Sequence, residues 1–434
     1  MSLLTILFFC CFFLILLSGF PVGFGLGFLA IGVSVIFTGV DMGLTHSIMK
    51  AYHALDTPIL VAVPMFIFAA EIIGETGIGA RLFQAARFWL GKYRAGLGIG
   101  TIMAGGLFAA MTGSSFVAAA TIGLIAIPEL RRAKYSDEMI STVISSGGSL
   151  GSIIPPSIAM IIYGYLTGES VSKLFMAGMI PGLLLMVLFS ISVFIIGNMT
   201  GGVGSPLPED ENRTLKDKVL SLKDAFWGLM APVVILGGIY GGFFTPSEAA
   251  AVAAVYSILI GFFMYRTLTF KKLFQVMLRT ASTSGMVAML IVGGAMLGHG
   301  MTLVQAPQKL LELVINLDLS PVVFMILINV LLFVFGMFME VVAMIYIAVP
   351  LLYPVVVHMG WDNIWFAIIF LININLALVT PPVGGILYII SQVGTIHITK
   401  VLKGASVTIF VLVLGLVLVI IFPPIATWLP GLMG

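Results

Sequence analysis

The sequence predicts an all-α polytopic membrane protein with about eleven transmembrane helices. Of its 434 residues, 60% are hydrophobic and 9% are charged, whereas about a quarter of the residues in a soluble domain are charged. Apolar stretches of 17 residues or more recur along the whole length, and each can span a hydrocarbon core of about 30 Å. Because the surroundings are then a lipid bilayer, the net charge of +2 gives no indication of nucleic-acid binding.

The N-terminal part of the chain is predicted to form three spans, at 3–18, 21–38 and 57–74, with a polar loop at 39–56. The first stretch lacks the basic segment and the cleavage site of a secretory signal, so we interpret it as a span. Residues 77–92 place apolar and basic side chains at helical spacing. That pattern is typical of a helix in the membrane interface or of a helix in a cytoplasmic loop.

Two apolar pairs, 95–130 and 320–357, are predicted to be re-entrant hairpins that enter and leave the membrane on one side. If they are hairpins and the N-terminus lies outside, seventeen lysines and arginines fall in inside loops and three fall outside. If either pair instead crosses the membrane twice, every loop after it changes sides, and lysines and arginines then fall on both sides of the membrane. The bias of basic residues toward cytoplasmic loops therefore favours the hairpins.

The rest of the chain is predicted to contain a polar loop that ends near residue 223 and a second amphipathic helix at 306–316. The remaining spans are predicted at 138–165, 171–197, 225–243, 246–265, 282–299, 362–390 and 404–428.

The two halves of the chain contain an inverted repeat. Pro155-Pro156 has a counterpart in Pro381-Pro382, and two further motifs recur in the same order, with offsets between 222 and 226 residues. Under the predicted topology, the two copies enter the membrane from opposite sides. The first repeat is predicted at 57–197, with hairpin 95–130 and broken helix 138–165, and the second at 282–434, with hairpin 320–357 and broken helix 362–390. Scaffold helices are predicted at 1–56, and a cytoplasmic loop with further scaffold helices at 198–281.

A proline pair inside an apolar span predicts a broken helix, because proline lacks a backbone donor and blocks the preceding turn. Each break exposes carbonyls at one helix end and amides at the other. Free carbonyls and nearby side-chain oxygens suit a desolvated Na⁺, while helix N-termini suit a carboxylate or sulfonate. Inverted repeats with broken helices are typical of secondary transporters; the alternative is a proline kink with packed serines. The oxygen-bearing side chains near the breaks are Ser149, Ser152, Asn373, Asn375 and Thr380.

The hairpin tips, 112–115 and 336–340, are each predicted to meet the break of their own repeat. Glycine permits a tight turn at a tip, and serine hydroxyls add neutral oxygen ligands. Glu71, Glu248 and Glu340 are the main ionisable residues within predicted spans, and ionisable groups at that depth are functional candidates. Glu340 ranks first because it lies at a tip, and pairing with a polar neighbour is the alternative.

Residues 237–254, which begin Gly-Gly-Ile-Tyr-Gly-Gly-Phe-Phe-Thr-Pro-Ser-Glu, resemble the signature of the large membrane subunit of TRAP (tripartite ATP-independent periplasmic) transporters. The motifs at 113–115, 154–157 and 380–384 are similar to that family's hairpin and broken-helix motifs. The resemblance covers the whole chain. It implies an elevator-type, Na⁺-coupled importer of a small organic anion in the bacterial inner membrane, and the outside N-terminus favoured by the basic residues would then be periplasmic. It also implies two partners, a small four-helix membrane subunit and a periplasmic substrate-binding protein.

The resemblance places the functional sites at the tips and the breaks. The residues it implies for Na⁺ are Thr112, Gly113, Ser115, Ser149, Gly151, Gly336, Met339, Asn373, Asn375 and Thr380. The residues it implies for the substrate are Ser114, Ser115, Pro156, Ser157, Pro382 and Gly384.

The chain departs from the family pattern near the second tip and the second break. Asn375 stands where the family has a small residue, Ala377 stands where it has glycine, and Val342 and Ala343 stand where a proline is usual. These departures affect the second ion site and the substrate. Members of the family carry dicarboxylates, sialic acids, other sugar acids, ectoines or sulfonates, and no residue here selects among them.

Two other functions are weighed against this one. A free-standing Na⁺/dicarboxylate carrier of similar hairpin design would need neither a binding protein nor a small subunit. An intramembrane enzyme would need a His, Asp or Cys constellation at matched depth, and the sequence shows none. We therefore expect a transporter and no catalysis.

Overall fold

The computed structural model of the chain describes residues 3–200, 203, 206–207, 210 and 214–433. Within these ranges every regular element is a helix, so the predicted all-α class is confirmed. The polar loop predicted to end near residue 223 falls partly outside the described residues.

Residues 3–200 form ten α-helices, α1 to α10 in chain order. They are Leu3–Leu17, Val22–Thr38, Val40–Leu55, Ala62–Glu75, Ile78–Leu90, Gly96–Thr112, Ser115–Arg132, Asp137–Ser149, Ile158–Thr167 and Val171–Thr200. Short 3₁₀ turns precede α4 at Pro58–Val61 and follow α8 at Leu150–Ser152.

Residues 214–433 form ten more α-helices, α11 to α20. They are Leu215–Tyr240, Pro246–Leu259, Phe270–Leu303, Ala306–Asn316, Pro321–Gly336, Val341–His358, Asn363–Leu378, Gly385–Gly394, Ile398–Ile421 and Pro424–Gly431. A π-helical turn, Ile260–Met264, continues α12.

Seven helical segments of the described chain are long and apolar enough to cross a membrane. They are Pro58–Glu75, Val171–Met199, Leu215–Tyr240, Pro246–Met264, Phe270–Leu303, Val341–His358 and Ile398–Ile421. Shorter apolar helices, among them α2, α6, α15 and α17, accompany them. The polytopic class is confirmed, while the number of crossings and the side of the N-terminus stay predictions.

Helices α6 and α7 form the first hairpin, and α15 and α16 form the second. Gly113 turns the chain between α6 and α7 with a φ of +61°, a conformation that favours glycine. Ser114 then caps α7 through its hydroxyl. In the second hairpin, the Glu340 carboxylate accepts hydrogen bonds from the amides of Val342 and Ala343, so this side chain caps α16.

Both predicted helix breaks are present. Helix α8 ends before Pro155-Pro156 and α9 begins after it, and Pro381-Pro382 separates α17 from α18 in the same way. Both of these proline–proline peptide bonds are cis. The helices stop where the missing proline donor predicts.

The broken helices lie at the centre of the described structure. Every residue of 139–149 in α8 and of 365–378 in α17 is buried. Helix α8 packs against α6, α7 and α19. Thr408 Oγ1 of α19 lies 2.7 Å from Ser145 Oγ and 3.0 Å from Ser146 Oγ. Such packing through small hydroxyl residues joins helices in membranes, and here it holds the C-terminal half of α8.

The polar loop predicted at 39–56 is instead a helix, α3. It packs closely on α2, since a Cβ at Gly43 would lie 2.7 Å from the Val35 Cα. Its polar side chains, such as Asp41 and Lys50, are exposed. The prediction was wrong because polar residues are equally compatible with an amphipathic helix at a membrane surface.

Two helices begin earlier than the sequence pattern predicts. Helix α11 starts at Leu215 rather than near 225, because Thr214 and Asp217 form a capping box there. Helix α13 starts at Phe270 rather than near 282, after the cap residue Thr269. The first turns of both helices are polar, so apolar content alone does not locate their starts.

Candidate functional site

The tip of the first hairpin lies against the first helix break. A Cβ at Gly113 would lie 2.6 Å from the Pro156 carbonyl oxygen, and a Cβ at Gly151 would lie 2.5 Å from the Ser115 nitrogen. The Ser115 Oγ lies 3.2 Å from the Ser152 Oγ. Because only glycine allows these backbone approaches, the two glycines bring the tip hydroxyl onto the 3₁₀ turn after α8.

Ser115 also joins the first hairpin to the second broken helix. Its hydroxyl donates a hydrogen bond to Asn375 Oδ1 at 3.2 Å, and both residues are buried. Asn375 Nδ2 donates to the Leu371 carbonyl oxygen at 2.7 Å. Since a carbonyl only accepts, that bond turns Oδ1 toward Ser115. Asn375, which the resemblance assigns to the second ion site, therefore lies beside the first tip.

The tip of the second hairpin lies against the last turns of α17. Gly336 packs directly on the Ala377 side chain and leaves no room for a Cβ at position 336. Met339, at the same tip, is buried. Earlier on α15, the Asn329 side-chain oxygen accepts a hydrogen bond from Asn373 Nδ2 at 2.6 Å. These contacts lie before the second proline pair along the chain.

The second break is more exposed than the first. Residues 381–383 are exposed, whereas residues 150–157 are buried. The Thr380 hydroxyl donates to a carbonyl of α17 at 2.6 Å. The Pro382 carbonyl oxygen accepts a hydrogen bond from the Tyr388 hydroxyl at 3.2 Å. Matching proline motifs thus occur in two different environments.

A cavity of about 150 Å³ lies at the two hairpin tips. Three helices begin at its wall, α7 at Ser115, α9 at Ile158 and α16 at Val341. Helices α4 and α13 also contribute to the wall, with residues that include Glu71 and Met286, and Ser152 and Leu378 lie there as well. The described residues that line the cavity include no lysine or arginine. Positive potential at its wall therefore comes from the helix N-termini.

Part of the predicted site lines this cavity: Thr112, Gly113, Ser114 and Ser115. The other predicted residues do not line it: Ser149, Gly151, Pro156, Ser157, Gly336, Met339, Asn373, Asn375, Thr380, Pro382 and Gly384.

Apart from Glu71, the wall residues that come from α4 and α13 were not predicted from the sequence. Among them are Ile67, Ala70, Thr283 and Val287. They belong to none of the tip or break motifs, and they come from helices outside the two hairpins. One of the two further repeat motifs, the likeness between 65–74 and 289–298, marked the α4 segment but gave it no role.

The acidic residues predicted within spans have local partners. The Arg279 Nε lies 2.9 Å from Glu71 Oε2. Glu248 accepts a hydrogen bond from the Thr245 amide at the start of α12, within a capping box. Glu340 caps α16 and, like Glu71, lines the cavity. All three carboxylates therefore have local structural partners, through an ion pair for Glu71 and through helix capping for Glu248 and Glu340.

The family described as "Tripartite ATP-independent periplasmic transporter, DctM component" matches residues 9–425. The chain is 33% identical over 418 residues to the sialic acid TRAP transporter large permease protein SiaM of Vibrio cholerae, with 96% of each chain covered. It is 35% identical over 386 residues to the C4-dicarboxylate TRAP transporter large permease protein DctM of Pseudomonas aeruginosa, with 89% of each covered. It is 31% identical over 412 residues to the 2,3-diketo-L-gulonate TRAP transporter large permease protein YiaN of Escherichia coli, with 95% of each covered.

The fold is also similar to that of a solved structure, the YdaH transporter of Alcanivorax borkumensis. The TM-score is 0.70, and the match covers 94% of this chain and 98% of that chain at 12% identity. At this identity the likeness supports the fold alone. The family match and the relatives, by contrast, extend over nearly the whole sequence. The chain therefore belongs to the DctM component family of tripartite ATP-independent periplasmic transporters.

Proposed function

We propose that this membrane subunit imports a small organic anion across the bacterial inner membrane by symport with Na⁺. A periplasmic binding protein delivers the anion, and a small four-helix membrane subunit completes the transporter. Membership of a tripartite periplasmic transporter family supports this arrangement. The chain itself performs no catalytic step in the proposal.

The observation that carries the Na⁺ coupling is the meeting of oxygen-bearing groups from both repeats at the first tip. Ser115 Oγ lies 3.2 Å from both Ser152 Oγ and Asn375 Oδ1. The C-terminal end of α8, at Ser149, and the turn at Gly151 lie beside it. Helix C-terminal ends and unwound carbonyls coordinate Na⁺ in transporters with broken helices. We assign the first ion to these groups, together with the carbonyls of 112–113.

A second ion is assigned to the second tip and the end of α17. Asn373 Oδ1 is a buried acceptor with no hydrogen-bond partner among the described residues. Thr380 and the carbonyls near Gly336 and Met339 complete the proposed oxygen set. The helix dipole favours positive charge at the C-terminal end of α17. The buried, unpaired oxygen supports an ion there despite the unusual Asn375 and Ala377 nearby.

The anion is assigned to the cavity, because the N-termini of α7 and α9 attract carboxylates through free amides and the helix dipole. The Glu340 carboxylate already occupies the amides of Val342 and Ala343 at the N-terminus of α16. Ser114 and Ser115 present hydroxyls at its wall. The residues proposed to frame the anion from the breaks are Pro156, Ser157, Pro382 and Gly384. Relatives at 31% to 35% identity are named for three different anions. The proposal therefore extends to a small organic anion and not to one substrate.

The position of the cavity supports an elevator mechanism. The tips, the breaks and the cores of α8 and α17 pack on one another, with buried contacts across both repeats. Helices α4 and α13 form the opposite wall and contact each other. We propose that the hairpins and broken helices move as one unit past this wall and carry the cargo with them.

Uptake of radiolabelled anion into proteoliposomes tests the proposal. The chain is reconstituted with its small subunit and supplied with loaded binding protein. We expect uptake driven by an inward Na⁺ gradient and its loss when K⁺ replaces Na⁺ at equal ionic strength. Equal uptake in K⁺ would contradict the Na⁺ coupling.

A further inference from the structure

We infer that Asn329 is a positioning residue that keeps the buried Asn373 Oδ1 unpaired and free to bind a monovalent cation. Asn329 lies on α15, the first arm of the second hairpin, and Asn373 lies on α17. The inference rests on the proposed function, because it supposes that an ion binds at the second tip and break. It adds a residue that neither the motifs nor the resemblance identifies.

Two backbone carbonyls fix the orientation of both side-chain amides. Asn329 Nδ2 donates to the Met325 carbonyl oxygen at 2.7 Å, and Asn373 Nδ2 donates to the Ile369 carbonyl oxygen at 2.9 Å. A carbonyl oxygen only accepts hydrogen bonds, so each amide must present its NH₂ group to its own helix. Asn329 Oδ1 then faces α17, and Asn373 Nδ2 donates its second hydrogen to it at 2.6 Å.

This chain of hydrogen bonds uses both donors of Asn373 and leaves its acceptor free. The Asn373 side chain is 0% exposed, and its Oδ1 has no partner among the described residues. A buried acceptor in this condition is unfavourable unless a ligand bonds it. The oxygen lies less than two turns before the C-terminal end of α17, where the helix dipole favours positive charge. A cation is therefore the ligand that fits both the free acceptor and the local field.

The Asn329 side-chain oxygen holds the Asn373 amide in a single orientation. Without it, one hydrogen bond would hold the Asn373 amide, and the second hydrogen of Nδ2 would be unpaired in the core. Rotation of the side chain could then turn this donor toward the ion site, and a donor repels a cation. We expect loss of Asn329 to weaken Na⁺ binding although Asn329 does not touch the ion.

The test is a titration of thermal stability with Na⁺ on the purified full-length chain in detergent, with K⁺ holding the ionic strength constant. It needs neither substrate nor binding protein. In the wild type we expect the unfolding temperature to rise with Na⁺ and not with K⁺. In Asn329→Leu we expect the half-maximal Na⁺ concentration to rise by about tenfold, the effect of one misoriented ligand. If that variant does not fold, Asn329→Thr is measured instead, because its hydroxyl can donate to Met325 but is too short for Asn373.

The matched control is Asn363→Leu at the other end of α17. The Asn363 amide donates to Glu169 at 3.0 Å and to the Tyr353 hydroxyl at 3.2 Å. Asn363 Oδ1 is also a buried acceptor without a partner among the described residues, but it lies in the first turn of α17, where the helix dipole disfavours a cation. The variant should therefore lower the unfolding temperature and leave the half-maximal Na⁺ concentration unchanged. An unchanged Na⁺ response in the Asn329 variants, beside a normal wild-type response, would overturn the role of Asn329 alone. Absence of any Na⁺-specific response in the wild type would instead contradict the proposed ion coupling.

Discussion

Ser115 and Asn375 are separated by 260 positions in the sequence, yet the Ser115 hydroxyl donates a hydrogen bond to Asn375 Oδ1 at 3.2 Å. The bond joins the tip of the first hairpin to the second broken helix. Because Asn375 is itself held by the Leu371 carbonyl, the position of the tip hydroxyl depends on both repeats. The two halves of the chain therefore share one buried polar centre.

Ser115→Ala is expected to lower Na⁺-driven uptake by about tenfold or more, since it removes an ion ligand and leaves Asn375 Oδ1 without a donor. Initial rates in proteoliposomes at several Na⁺ concentrations measure this. Ser257→Ala is the control, because the Ser257 hydroxyl is also buried and donates to Ala253 at 2.7 Å within α12. Wild-type rates in Ser115→Ala would show that this hydroxyl lies outside the ion site.

Thr380→Val is expected to impair transport without loss of folded protein, because valine keeps the shape of threonine and removes an oxygen from the proposed second ion site. Thr101→Val is a close match for it. Thr101 is buried and donates to the Leu97 carbonyl at 2.7 Å, as Thr380 donates to Leu376 at 2.6 Å. Uptake rates and size-exclusion profiles are compared for the two variants. Equal rates in both would mean that the Thr380 hydroxyl only packs its helix.

Gly113→Ala is expected to destabilise the chain by about 2 kcal/mol or more, because alanine is strained in the left-handed backbone conformation and its Cβ would collide with the Pro156 carbonyl oxygen. Gly168→Ala separates the two causes. Gly168 has a φ of +73°, and no atom lies within 4 Å of the position that a Cβ would take there, so only the backbone cost of about 1 kcal/mol applies. Thermal unfolding in detergent measures both. Equal destabilisation would argue against a tight contact between the first tip and the first break.

Arg87→Met is expected to destabilise the chain by roughly 3–5 kcal/mol, because it removes the cation that lies against the buried Asp210 carboxylate. Arg87 Nε lies 3.0 Å from Asp210 Oδ2, and its Nη1 lies 2.9 Å from Glu129 Oε2. The Asp210 side chain is 2% exposed. Arg132→Met is the control, because Arg132 lies 3.7 Å from Glu129 with 53% of its side chain exposed, which predicts a loss below about 1 kcal/mol. Similar melting temperatures for the two variants would contradict the buried ion pair.

Transport is expected to require the small membrane subunit and the binding protein. Co-expression with a tagged chain, followed by purification in mild detergent, tests the first partner. Omission of the binding protein from the proteoliposome assay tests the second. Full uptake of free anion by the chain alone would support the alternative of a free-standing carrier.

Much of the fold was predictable because its signals are local. Proline cannot donate a backbone hydrogen bond, so the pairs at Pro155 and Pro381 stop helices wherever the chain places them. Gly113 marks a tip for a similar reason, since its backbone conformation favours glycine. The starts of α11 and α13 were mispredicted because their first turns are polar, and α3 was mispredicted as a loop because polarity does not distinguish a loop from a helix at a membrane surface.

The site was predictable only in part. Thr112, Gly113 and Ser115 were identified from their motif, and they line the cavity. Asn329 was not identified, because an asparagine in an apolar arm has no meaning until its neighbour is known. The same holds for the wall residues of α4 and α13.

The sequence by itself determined the membrane class, the helix breaks and the tips, because composition and backbone chemistry act over a few residues. Only the tertiary structure decided that Ser115 meets Asn375, that Asn329 holds Asn373, and that the second break is more exposed than the first. The physical reason is that these relationships depend on how remote helices pack. A hydrogen bond between side chains some 260 positions apart leaves no pattern in either local sequence.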